Sequence, residues 1–520
     1  MNRSPFLPFA AAALQRATRR LRHDEGGAIA VTYALALTGL LASAGVSFDY
    51  ARMVALSSEM HNAADQAALA AATQLDGSAN AITYATQAAS NLVGNKTVMA
   101  NDSGARAITV AGLLFYGTYA DAEAGTNPVT DATKAKFVRV AVNARKAYYA
   151  YTPIVGLLAS DDISAAATAG LGSSICKVPP VFMCNPYEAT DPGFTVANYI
   201  GKGLKLIANT GGSNYAPGNF GYLESNAGNG ANAVAQTLGN TVPPGDCIST
   251  DTVTTKPGQQ VSVLDALNTR MDVYANGLNN VCGSSNASCP ASANARKDLE
   301  QKGNGCAFTS GNGAGWQQPN NAYAPSSNAA LTQAQINSTA PMGYPRDICH
   351  AVSSSGVCSG GQVGDGVWDS NAYFKTNTAD YASSFSPSST FGTSTPTRYQ
   401  VYKYEAANAA TRLVNQSNGS LTSVPVASCG SSLPVGGATV DRRVLSVAVI
   451  DCTAQGVAGR STNVAVTNWI DVFLVEPSVN RARTSQSDVY VEVIGPTQIG
   501  GGGDTSSAQI VRISKPYLVN

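Results

Sequence analysis

The chain has 520 residues, 44% of them hydrophobic and only 13% charged, and its 33 basic side chains balance 33 acidic ones. That length suffices for two or three domains with real cores. Zero net charge and the lack of a basic stripe speak against a nucleic-acid partner.

Residues Gly26 to Phe48 form an uncharged, largely apolar run preceded by Arg3, Arg16, Arg19, Arg20 and Arg22. As a helix these residues rise about 35 Å, enough to cross a ~30 Å hydrocarbon layer. Only Arg52 follows within some twenty residues, so the positive-inside rule holds the N-terminus in the cytoplasm and sends the remainder out. A secretory signal peptide is the alternative, with Ala42-Ser43-Ala44 before Gly45 as its cleavage pattern. Against it, the run exceeds a usual signal core, and helix-compatible sequence continues from Asp49 to Ala72 as a stalk. Ala30, Ala34, Thr38 and Ala42 recur four apart and permit close packing of another membrane helix. Asp49 and Arg52 either pair across one turn or stand as two solvated charges. The face from Ala63 to Ala72 packs on a partner helix or on residues 81 to 92.

Asp76 to Gly94 reads as a second helix, with Ile82, Ala85, Ala89 and Leu92 on one face and Asp76 or Ser78 as its N-cap. Ala107–Gly117 and Lys136–Lys146 read as strands, as does Gly201–Asn209. Val263, Leu267, Met271 and Tyr274 give Val261–Asn276 a helical spacing. From Gly277 to about Pro345 the sequence turns to Asn, Ser, Gly, Ala and Pro, a composition of disulfide-held loops or of disorder. Arg442–Cys452, Asn463–Pro477 and Asp488–Gly495 are strand candidates of a mixed or antiparallel sheet. In the last, Val489, Val491 and Val493 alternate with Tyr490, Glu492 and Ile494, a period of two that buries one face.

Catalytic signatures do not emerge. The three histidines are His23, His61 and His350, and no nucleophile motif stands near His350, which reads as a loop or surface residue. Cys349-His350 lacks the second pair and the spacing of a zinc site. Asp76-Gly77-Ser78-Ala79-Asn80 fails as a calcium loop, with Ala81 and Gln87 where glycine and glutamate belong. It fails too as the Asp-x-Ser-x-Ser motif of von Willebrand type A domains. Gly94-Asn95-Lys96-Thr97 and Gly459-Arg460-Ser461 read as turns. No catalytic residue, cofactor, metal or small-molecule substrate is expected.

The ten cysteines, Cys176, Cys184, Cys247, Cys282, Cys289, Cys306, Cys349, Cys358, Cys429 and Cys452, contain no Cys-x-x-Cys and all lie on the exported side. They point to disulfides in an oxidising compartment, with isolated thiols as the alternative. Closure entropy favours the short loops Cys176 with Cys184, Cys282 with Cys289 and Cys349 with Cys358. Cys429 with Cys452 would then tie the C-terminal sheet, leaving Cys247 with Cys306.

The run Asp24-Glu25-Gly26-Gly27-Ala28-Ile29-Ala30-Val31-Thr32-Tyr33-Ala34-Leu35, then Ser47-Phe48-Asp49-Tyr50-Ala51-Arg52, then Asn62-Ala63-Ala64-Asp65-Gln66-Ala67-Ala68-Leu69-Ala70-Ala71-Ala72, resembles the N-terminal domain of TadG-like Flp pilus assembly proteins. The motif residues are Asp49, Arg52, Ala63, Ala64, Asp65, Ala67, Ala68 and Leu69. Pro179–Glu188 and Phe473–Pro477 resemble longer members of the group. The resemblance implies a bacterial inner-membrane protein, single-pass, with its N-terminus cytoplasmic and its body periplasmic. Other pilus assembly proteins would be its partners, and it would serve tight adherence as a non-enzymatic anchor or scaffold. Related pilin-like members are cut after a glycine and carry glutamate and an aromatic at the fifth and sixth mature positions. Counting from Gly27, Thr32 and Tyr33 stand there, and the missing glutamate favours a stationary anchor over a processed subunit. A surface adhesin and a membrane-tethered enzyme are the alternatives.

The expected fold is α+β: a transmembrane helix, a stalk helix and a disulfide-braced, mixed or antiparallel β-rich periplasmic body. The expected partition is a basic flank (1–25), a span (26–48), stalk and second helix (49–94), an α+β domain (95–175), a loop-rich cysteine-containing region (176–345) and a β-rich C-terminal region (346–520).

Overall fold

The computed structural model describes residues 26–92, 96–100, 107–151, 160–176, 178–208, 214–228, 230–257, 263–353, 356, 358–359, 361–430, 441–497 and 509–519. The basic flank with its five arginines and His23, and Gly94 with Asn95, lie outside the described residues. The chain divides into two compact units, Met1–Leu171 with Ser514–Asn520, and Gly172–Ile513.

In the first unit the expected span and the whole stalk, Asp49–Ala72, are one continuous helix, α1 (Gly26–Ala72), 47 residues long and so about 70 Å. Alanine-rich sequence with no proline propagates a helix without interruption. The second helix, α2 (Ala81–Leu92), begins later than expected. Asp76 accepts from the Ser78 amide at 2.8 Å and the Ala81 amide reaches the Ser78 carbonyl. These residues therefore build the turn between the helices, and neither Asp76 nor Ser78 is an N-cap.

The sheet of this unit runs β1 (Val110–Tyr116), β2 (Phe137–Val142), β3 (Ala166–Cys176) and, last in sequence, β10 (Gln509–Val519). The first two pairings are antiparallel, with an irregularity between Val110 and Gly112. Val138, Val140 and Val142 turn one face into a core with Ala64, Ala67, Ala68 and Ala71 of α1 and Ala85 and Ala89 of α2. Gly170 lies opposite Phe137 in the register, and a Cβ there would stand 2.4 Å from the phenyl ring, so only glycine lets the strand close over it.

The second unit is built on a closed barrel of six strands: β4 (Val181–Cys184), β5 (Gly203–Ala208), β6 (Asn219–Leu223), β7 (Val444–Ile450), β8 (Asn468–Leu474) and β9 (Asp488–Pro496). The order is β4-β7-β8-β9-β5-β6, and β6 returns to β4. β4 with β7 and β5 with β6 are parallel, and the other four pairings are antiparallel. Alternate residues such as Met183, Leu206, Phe220, Val447, Val472 and Val491 fill the interior. Val263, Leu267, Met271 and Tyr274, the four positions of helical spacing, are all buried in that cluster. The helix they form covers only Leu264–Asn268, followed by a 3₁₀ turn to Met271.

One expectation fails here. β9 does not bury one face only: Tyr490 and Glu492 on its outer side are as buried as Val489, Val491 and Val493 on its inner side. The chain between 277 and 430 wraps the barrel and covers that outer face, as parallel or doubly covered sheets require. Within it the polar, glycine-rich segment follows the reading of disulfide-held loops, braced by Cys282–Cys289 and Cys306–Cys429, with Leu299, Trp316, Ile336, Met342 and Tyr344 buried.

Five disulfides brace this unit: Cys176–Cys247, Cys184–Cys452, Cys282–Cys289, Cys306–Cys429 and Cys349–Cys358. The pairings of Cys176 with Cys184, Cys247 with Cys306 and Cys429 with Cys452 are thereby overturned. The short-loop argument succeeds where the backbone is a turn. It fails where strand pairing, as between Ile450 and Cys184, has already brought distant chain together.

Candidate functional site

The first candidate is the point where α1 leaves its exposed half. From Ile29 to Ala44 every side chain of the helix is exposed, among them Tyr33, Leu35, Leu40 and Leu41. Among the described residues one helix is long and apolar enough to cross a membrane, and it is this one. At Gly45 the helix becomes covered: a Cβ there would lie 2.7 Å from Cβ of Tyr151. Four residues on, the Asp49 carboxylate accepts from the Ala150 amide at 2.9 Å and from the Tyr151 amide at 3.0 Å. Asp49 is 2% exposed, so it is not a solvated charge. Arg52 donates to the Met99 carbonyl at 3.3 Å.

Beyond this clamp the motif residues serve helix packing. Ala63, Ala64, Ala67 and Ala68 are buried against α2 and the sheet, while Leu69 is half-buried beside them and Asp65 lies at the edge of that face. Methyl-sized side chains let the two helices and the sheet approach closely. The alanine face is thus occupied within the chain, which settles the choice left open between a partner helix and residues 81 to 92.

The second candidate is His350 with its flanking cysteines. The three ligand atoms of Cys349, His350 and Cys358 lie within 4.8 Å of one another. The disulfide, however, consumes both thiolates, and the imidazole is engaged on both nitrogens, Nδ1 with Tyr490 Oη at 2.9 Å and Nε2 with the Gly361 carbonyl at 3.0 Å. His350 is fully buried in a short helix (Ile348–Ala351), which corrects the expectation of a loop or surface histidine. Burial holds its pKa below the ordinary value.

Around it lies what sequence reading missed, a set of buried guanidinium and carboxylate groups on the outside of the barrel. Arg398 donates to Glu492 at 2.8 Å and to Asp347, all three buried. Glu492 also accepts from the amides of Arg398 and Tyr399, the first turn of the helix Arg398–Ala407, where an anion is favoured. Burial pushes Glu492 up despite Arg398. Arg346 joins Glu476 and, at 3.0 Å, Asp488, and Arg481 joins Glu476 at 3.1 Å and Asp298 at 2.8 Å. Burial opposes the charge of Glu476, but Arg346 and Arg481 outweigh it and hold its pKa below the usual value. Arg296 binds Asp380 and Glu405, and Glu405 accepts from Tyr344 and Tyr381. The chemical content of these clusters is charge pairing that ties loops to strands, with Arg346 Nη1 and Arg481 Nε left buried without a hydrogen-bond partner among the described residues. A sequence signal existed, since Glu492 in Val-Tyr-Val-Glu-Val and Asp471 in Trp-Ile-Asp-Val-Phe sit inside apolar strands, where a charge requires a partner.

One such helix, an alanine-packed stalk and a disulfide-braced barrel are an architecture consistent with single-pass membrane anchoring. Residues 27–74 match the family model described as Putative Flp pilus-assembly TadE/G-like, and the N-terminus is thus a TadG-like Tad domain. This domain supports a role in pilus assembly. No curated protein and no solved structure matches the chain.

Proposed function

We propose that the chain is a non-enzymatic component of Flp, or tight-adherence, pilus assembly, anchored in the bacterial inner membrane with its N-terminus in the cytoplasm and its body in the periplasm. The observation that carries this reading is the coincidence of the Tad match at 27–74 with a helix that is exposed from Ile29 to Ala44 and packed from Leu56 onward against α2 and the sheet. The arginines before Gly26 support the orientation, and five disulfides fit an oxidising compartment. The body acts as an anchor or scaffold for other assembly proteins.

Deleting the gene in its host is the test. Surface pili and adherence fall while pilin synthesis is unchanged, and a reporter fused after Asn520 is active only in a form that folds outside the cytoplasm. Normal piliation in the deletion strain overturns the assembly role, and a protease-accessible body on intact cells replaces it with the adhesin.

A further inference from the structure

The last turns of the exposed half of α1 and the loop fixed to it share one composition. Phe48, Tyr50, Tyr148 and Tyr151 are each about half exposed or more, from 47% at Tyr148 to 64% at Tyr50. Phe48 and Tyr151 meet edge to face with centroids 5.3 Å apart, and the Tyr149 hydroxyl reaches Met53 Sδ at 3.0 Å. Four rings left open to the surroundings on a globular unit cost apolar hydration, unless another phase covers them.

Their position along the helix identifies that phase. Gly26 to Phe48 spans 23 residues, about 35 Å, close to the ~30 Å of a bilayer's hydrocarbon core. With the charges Asp24 and Glu25 at one end, the four rings fall at the other boundary. Tyrosine concentrates there because its ring is apolar and its hydroxyl is wet. The clamp from Asp49 to the Ala150 and Tyr151 amides sets the loop at that height. A charge ordinarily faces water at this level, and here it is buried and spent on two backbone donors.

We infer that Tyr148 and Tyr151, held to α1 by Asp49, join Phe48 and Tyr50 in an aromatic seat that rests in the headgroup layer of a phospholipid bilayer, so that the first unit docks on the lipid surface instead of turning on a bare stalk. The inference rests on the reading of α1 as a membrane span. Asp49 is the positioning residue of this seat, and the rings are its lipid contacts.

Full-length protein in phospholipid vesicles brominated either near the headgroup end or near the terminus of the acyl chains tests it. The three native tryptophans, Trp316, Trp368 and Trp469, are buried in the second unit and give the baseline. Tyr148→Trp and Tyr151→Trp each lose roughly half of the added emission to shallow bromine and less to deep bromine, whereas Tyr33→Trp loses more to deep bromine. Adding Asp49→Ala to Tyr151→Trp reduces the shallow quenching while that of Tyr33→Trp persists. Quenching at Tyr33→Trp with none at the two loop positions overturns the seat and leaves the span standing. An unquenched Tyr33→Trp overturns both, and undiminished quenching in the Asp49→Ala variant removes Asp49 from its role.

Discussion

Cys184 and Cys452 are joined across 268 residues of chain because Cys184 ends β4, and Cys452 follows two residues after the parallel strand beside it. Cys282 and Cys289, by contrast, close a turn seven residues apart. Chain entropy assigns about 5 kcal/mol to the long loop and about 2–3 kcal/mol to the short one. Replacing Cys184 and Cys452 by alanine therefore costs roughly twice what the Cys282/Cys289 pair costs, read from denaturation midpoints. Non-reducing peptide mapping recovers Cys176 with Cys247 and Cys306 with Cys429.

Arg398 neutralises two buried carboxylates while its own backbone starts a helix on one of them. Arg398→Met leaves Asp347 and Glu492 as uncompensated charges, and a loss of about 3–5 kcal/mol is expected in a denaturant titration. Arg398→Lys does not restore stability, since one ammonium cannot replace the forked contacts to Asp347, Glu492 and the Pro345 carbonyl. Full stability in Arg398→Met would show the cluster to be dispensable.

Glu300 is fully buried with neither carboxylate oxygen hydrogen-bonded among the described residues, and burial, with Asp298 adding to it, pushes its pKa from 4.5 up to about 7. The folded form therefore holds a proton that the unfolded form releases between these values. Stability falls as pH rises through that window, and above it the full penalty remains, on the order of 2 kcal/mol. Glu300→Gln melts a few degrees higher than the parent near pH 8 and no higher near pH 4. Lys297, which burial lowers to about 7, is present in both proteins and cancels in the difference.

Ala68 is fully enclosed between α1, α2 and the sheet. Ala68→Leu forces the helices apart at about 1–3 kcal/mol, and the melting transition of the first unit falls accordingly. The same substitution at Ala34, on the exposed half of α1, leaves that transition unchanged.

The two ends of the described chain are its more legible parts. Helix α1 announced itself because an apolar run and an alanine repeat are local signals, and β2 and β9 because their residues are β-branched. β4 and β6 went unread: Val-Phe-Met-Cys and Asn-Phe-Gly-Tyr-Leu are short, and both of their faces are covered, so neither alternates. The disulfides and the charge clusters were hidden for a related reason. Each joins elements far apart in sequence, and only the closure of the barrel brings them together. His350 was misread because burial of a histidine depends on distant Tyr490, which no local pattern names.

The strand Gln509–Val519 joins the sheet that begins at Val110, so one sheet holds strands from both ends of the sequence. A ribosome makes them some four hundred residues apart. While the barrel between them is being made and oxidised, β3 keeps an open edge with unpaired amides and carbonyls. A product cut short before Gln509 keeps that edge, a template for pairing with another chain. Pairing of Gln509–Val519 with β3 removes that edge.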